Sequence, residues 1–382
     1  MKKLLLGSAA IAGLVLASAP AQAQMELTIG GHSKNYVGYL NQDEAVGTSV
    51  QNVDMVRETE LHFNGESTLD NGLTFGFQVE TEVDGGDDAN TIEESYIYMS
   101  GTWGRVNAGS ENGAAYLLQV AAPSADSNID GIRQYINPVN YVAGNAVVAA
   151  ALAGTAWAGG VPAGTLDVDG FDYDNDLTGT SEKITYLTPN YNGFQAGASY
   201  TFNVGDTNSA TPVASGFNVD NVAGFYDDAW EIAARYEGVM SNFGYAVGAG
   251  YTTVNLGGNA GAVTDDLTEW NVGLDVDAGP FGIGAVYTAG DNGMTVGNDV
   301  DTWAAGVDYT TGPFKFGASY FTQDDELGAT GPDLETDRWT GGVIYTAGPG
   351  LSFRGSVSNI QSDLGAASED ATSVMGGVQI NF

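Results

Sequence analysis

Sixteen stretches of this chain alternate apolar and polar residues with a period of two: 26–39, 54–67, 72–83, 91–101, 103–111, 180–189, 193–203, 229–240, 243–255, 267–278, 280–290, 300–311, 313–323, 336–347, 350–362 and 370–382. Successive side chains on a strand point to opposite faces, so each stretch predicts a strand with one apolar and one polar side. Their lengths suit strands that cross a bilayer on a tilt. In TEWNVGLDVDAG, Trp270, Val272, Leu274 and Val276 oppose Glu269, Asn271, Asp275 and Asp277. The same division holds for Trp303, Ala305, Val307 and Tyr309 against Thr302, Asp308 and Thr310, and for Trp339, Val343 and Tyr345 against Arg338 and Thr340.

The connections predict how the strands are joined. Short ones rich in Gly, Asn, Asp and Pro, such as LDNG at 69–72, PNYNG at 189–193 and DAGPFG at 277–282, suit tight hairpins. They alternate with longer polar segments such as NQDEAVGTSVQN and QDDELGATGPDLE. Short turns on one side and long loops on the other describe a transmembrane antiparallel β-barrel with both termini on the turn side. Aromatic residues recur in register near the strand ends: Trp230, Trp270, Trp303 and Trp339 toward the loops, Phe281, Phe314 and Tyr345 toward the turns. Two such rows would mark the membrane–water boundaries. A soluble β-sandwich also alternates, but it does not require long loops on one side or polar inner faces throughout.

The N-terminal segment agrees with export. Lys2 and Lys3, the apolar run Leu4–Ala19 and the small residues of Ala21-Gln22-Ala23 form a secretory signal peptide, expected to be removed as residues 1–23. Residues 24–382 are then a single barrel domain. No cysteine is present, which excludes the small disulfide-stapled secreted scaffolds. Of 11 basic residues two lie in the leader, leaving nine against 48 acidic ones. That balance excludes nucleic acid as a partner and favours cations, as counter-ions, bound divalents or permeants. No run of about 20 apolar residues follows the leader, so no helical span is expected.

Three segments give the chain a family likeness: ELHFNGESTLDNGLTFGFQVE at 60–80, SYIYMSGTWGRVNAGSENG at 95–113, and the terminal VQINF. On these the chain resembles the general porins of Gram-negative bacteria, in particular those of alphaproteobacteria. The resemblance implies a homotrimer of sixteen-stranded barrels in the bacterial outer membrane, in contact with lipid and lipopolysaccharide. It implies a third loop folded into the lumen, here residues 112–179. It also implies that Val378, Ile380 and Phe382 form the signal read by the outer-membrane assembly machinery. The function it implies is passive diffusion of small hydrophilic solutes and ions through a water-filled channel, without catalysis or cofactor.

In such porins acidic residues on the third loop face a basic cluster on the wall. The loop side of the constriction is accordingly expected at Glu111, Asp126 and Asp130. The wall set is Lys34, Arg57, Glu58, Glu60 and Arg105. Arg57 shares parity with Leu61 and Phe63, so it reaches the lumen only at a rim or through a bulge. Glu60 stands where the resemblance implies an arginine. Inward parity also falls on Glu80, Glu82, Glu93, Glu231 and Asp275, so acids outnumber bases and a cation preference is expected.

Other motifs carry less. Asp172, Asp174 and Asp176 have the spacing of a calcium loop, but Leu177 replaces the required Gly and Lys183 the closing Glu, which leaves only a loose Ca2+ or other divalent site. His32 and His62 have inward parity and sit in no metal or triad motif. A substrate-specific channel is an alternative that would need aromatic residues along the lumen. From a different class, a secreted soluble β-rich protein binding calcium or polysaccharide is the other.

Overall fold

The computed structural model describes residues 25–84, 92–120, 122, 138–140, 143–144, 173–204, 226–258, 265–291, 293, 299–326 and 332–382. The expected leader, Asp126, Asp130 and Asp172 lie outside the described residues. Sixteen strands occur where alternation predicts them. They are β1 (Glu26–Gln42), β2 (Val53–Thr68), β3 (Thr74–Asp84), β4 (Ile92–Gly101), β5 (Gly104–Ser110), β6 (Glu182–Leu187), β7 (Phe194–Thr201) and β8 (Tyr226–Met240), then β9 (Phe243–Leu256), β10 (Leu267–Ala278), β11 (Phe281–Asp291), β12 (Asp299–Thr311), β13 (Phe314–Asp325), β14 (Leu334–Gly348), β15 (Leu351–Leu364) and β16 (Ala367–Asn381). Among the described residues one short helix, α1 (Ala114–Leu117), follows β5.

Each strand pairs antiparallel with its sequence neighbours, and β16 returns to β1 to close the barrel. The closing register runs from His32 opposite Asn381 to Gln42 opposite Ala371. Beyond it, the Phe382 and Gly31 backbones exchange N–H···O bonds of 3.0 and 3.1 Å. Closure leaves no strand edge, so the backbone polar groups at membrane depth are satisfied within the sheet. Seven of the connections on the turn side are tight. On the other side the connection between β15 and β16 is also tight, a two-residue turn with Gly365 at φ 61°.

The faces follow the alternation. Trp270, Val272 and Leu274 are 42–48% exposed, whereas Glu269 and Asn271 between them are 4% and 2% exposed. A continuous apolar belt that includes Ile232, Ile283, Val307, Val357 and Val374 is exposed on the outside. An apolar surface of this extent is stable against lipid, not water. Aromatic rings line both margins. Toward the loops Tyr287 lies 4.4 Å from Trp303 and Tyr320 lies 4.4 Å from Trp339 between ring centroids. Toward the turns Phe281 lies 4.9 Å from Tyr309 and Phe314 lies 5.0 Å from Tyr345.

The interior is not uniformly polar. Leu40, Val286, Ala304, Phe321, Ile360 and Ala371 are buried on the inner wall and pack with Ala122, Val139 and Tyr173 of the connection between β5 and β6. A second inner cluster joins Leu177 of that connection to Val204, Tyr226, Ala229, Val254 and Leu267. These apolar patches seat the described residues of that connection.

Candidate functional site

The described parts of the β5–β6 connection are held to the inner wall at both ends. At its start, α1 packs on β6 to β9. The Ala114 amide donates to Ser199 Oγ at 2.8 Å and the Ala115 amide to Glu231 Oε2 at 3.1 Å. Arg235 Nη1 donates to the Gln119 carbonyl at 3.1 Å. At its end, Asn175 is buried and accepts from Thr252 Oγ1 at 2.5 Å, while Thr288 Oγ1 donates to the Tyr173 carbonyl at 2.5 Å. Thr178 Oγ1 donates to Glu231 Oε1, so one carboxylate ties the two ends together. Lys183 Nζ is buried and donates to the carbonyls of Glu111 and Gly179. These bonds give the buried carbonyls, amides and carboxylate named here the partners that buried polar groups require.

Glu111 lies at the root of this connection, directly after β5. Asn107 Nδ2 donates to both of its carboxylate oxygens at 2.7 Å. Burial dominates there and pushes the carboxyl up to about 7. Asp174 and Asp176 flank Asn175 on the turn before β6 and are half-buried.

The wall of β1 to β4 carries a lateral belt of acids, brought together by cross-strand register. His32 is opposite Glu60, and Lys34 is opposite Glu58. Glu60 is opposite Glu82, His62 is opposite Glu80, and Glu80 is opposite Glu94. A bulge between Glu80 and Thr81 leaves Glu93 as the extra residue on β4, next to Glu94. Asn112 Nδ2 donates to Glu94 Oε1 at 3.1 Å and joins the belt to the connection. The sequence reading placed Glu93 on the lumen and passed over Glu94, because alternation without the bulge admits only one of them.

Basic residues are few on this wall. Lys34 is buried, its ammonium 3.1 Å from Glu58 Oε1. Arg105 stands at the turn end, its guanidinium 3.9 Å from the Tyr98 ring centroid and its Nε donating to Asn107 Oδ1 at 2.6 Å. Arg57 departs from the expected wall set. It is exposed, opposite Asn35, with the parity of Met55 and Phe63. The β1–β2 register is continuous through Arg57, and the nearby bulge puts its extra residue, Val83, on β3, so nothing turns Arg57 inward. On the far wall, Arg235 pairs with Glu237 at 2.6 Å and Lys315 with Asp308 at 3.2 Å.

The acids are also tied to the two histidines. His32 Nε2 is 2.5 Å from Glu58 Oε1 and 4.0 Å from Glu60 Oε2. His62 Nε2 bonds Glu60 Oε1, and its Nδ1 is 3.5 Å from Glu80 Oε1. Spacing in sequence hid this group: the two histidines are adjacent only through the register of β1 on β2. Gly31 helps to set that contact. Its φ is 148°, and a Cβ there would run into the Glu60 carbonyl.

The sequence model of the Gram-negative porin family matches residues 7–365. Outer membrane porin protein 32 of Delftia acidovorans is 29% identical over 219 residues, which are 53% of this chain and 50% of that protein. The match thus spans about half the length of this curated relative. Among solved structures, the anion-selective porin from Comamonas acidovorans is similar with a TM-score of 0.62 at 17% identity, over 94% of this chain and all of that one. OmpT of Vibrio cholerae in its trimer form is similar with a TM-score of 0.58 at 14% identity, over 94% of this chain and 99% of that one. Likeness at such identity speaks to the barrel alone, whereas the family match spans nearly the whole sequence. With its closed sixteen-stranded barrel, apolar outer belt and polar interior, this chain belongs to the Gram-negative porin family and resides in the bacterial outer membrane.

Proposed function

We propose that the protein is a water-filled channel for passive diffusion of small hydrophilic solutes and ions, biased toward cations, and that it works as a homotrimer. The observation that carries the bias is the carboxylate belt of Glu58, Glu60, Glu80, Glu82, Glu93 and Glu94 on β2 to β4, with Lys34 beside it. A lumen lined by one sign of charge concentrates the opposite ion. The related barrel from Comamonas acidovorans is described as anion-selective, so a cation bias would set the two apart by wall charge on a shared fold. No step in this reading uses a catalytic residue or a cofactor. Asp126 and Asp130 are assigned to the loop side of the constriction with Glu111, and Val378, Ile380 and Phe382 to the assembly signal. Contacts with lipopolysaccharide and with the assembly machinery belong to the same reading.

The test is neutralisation of the belt. In planar bilayers, Glu60→Gln, Glu80→Gln and Glu94→Gln combined should lower the potassium-to-chloride permeability ratio severalfold while leaving stepwise conductance in place. An unchanged ratio would remove the belt as the source of selectivity.

A further inference from the structure

We propose that His32, Glu60 and His62 form a binding site for a first-row divalent cation of the zinc type on the lumen wall. Among the described residues this is the one group of three His, Cys, Asp or Glu side chains whose ligand atoms converge, all within 4.8 Å of one another. Zinc bonds of 2.0–2.2 Å in tetrahedral geometry put ligand atoms about 3.3 Å apart, a contraction that side-chain rotation can supply. Two imidazole nitrogens and one carboxylate select zinc, copper or nickel over calcium and magnesium, which take oxygen ligands.

Four further features support the site. Glu80 Oε1 lies 3.5 Å from His62 Nδ1, while Nε2 is turned toward Glu60. That is the arrangement in which an outer carboxylate orients a metal-binding histidine. His62 is opposite Gly30 on β1, so no β1 side chain occupies the position directly across from it. The imidazole planes are 81° apart with centroids 6.5 Å apart, set edge to face rather than stacked. The surrounding charge is negative, from Glu58, Glu60, Glu80 and Glu94, with Lys34 engaged by Glu58. Three protein ligands leave a fourth position open to lumen water, where a bound ion would meet passing solutes.

Binding can be read without conduction, so this inference and the channel reading fail separately. The assembled protein, freed of metal with a chelator and kept in detergent, would be titrated with Zn2+ by calorimetry in excess Ca2+. One Zn2+ per chain is expected, with affinity reduced at least tenfold in His32→Gln and in His62→Gln and lost in the double variant. Asp308→Asn, on the far wall beside Lys315, should keep the site. Unchanged far-UV circular dichroism and heat-dependent gel migration would show that the variants still fold. Absence of Zn2+ binding to the wild type, or binding that survives in the folded double variant, would overturn the proposal.

Discussion

At the residue scale, Glu231 and Glu60 do different work on the same inner wall. Glu231 accepts from Thr178 and from the Ala115 amide, fastening both ends of the β5–β6 connection to β8. A hydrogen bond to a charged group contributes about 1.5–3 kcal/mol. Glu231→Ala should therefore lower the resistance of the barrel to urea and raise single-channel conductance or its noise, as the connection loosens. Conductance traces matching the wild type would mean that the apolar seats alone hold the connection. Glu60 was legible from sequence as a lumen acid where an arginine was implied. Its contacts with His32 and His62 were not, because they depend on the β1–β2 register and hence on the intervening connection.

At the element scale, alternation is local and was readable strand by strand. In β10 it placed Trp270, Val272 and Leu274 outside and Glu269 and Asn271 inside, as found. Leu274→Arg, on the lipid side, should cost about 2–4 kcal/mol in vesicle-based unfolding if it sits near the midplane, and the inward Asn271→Arg much less. Equal losses would contradict the assignment of faces. Alternation could not reveal that Phe321, Val286 and Ile360 face chain rather than water. Their cover comes from residues far away in sequence. Gly31→Ala tests the register itself. A side chain at φ 148° beside the Glu60 carbonyl should weaken β1–β2 pairing, read as faster amide exchange in those strands.

At the scale of the whole molecule, closure and charge act together. The sequence carries a formal net charge of −37, and the barrel gathers much of that charge onto surfaces that face water. The sixteen strands and their closure were readable from periodicity and turn chemistry. The bulge that brings Glu93 and Glu94 together and the outward place of Arg57 required pairing to be seen. The most direct test of the account is the reversal potential of the wild-type channel in a planar bilayer under a potassium chloride gradient. A reversal potential displaced toward that of potassium is the predicted result. One displaced toward chloride, or at zero, would contradict the claim that the β2–β4 carboxylates govern what passes.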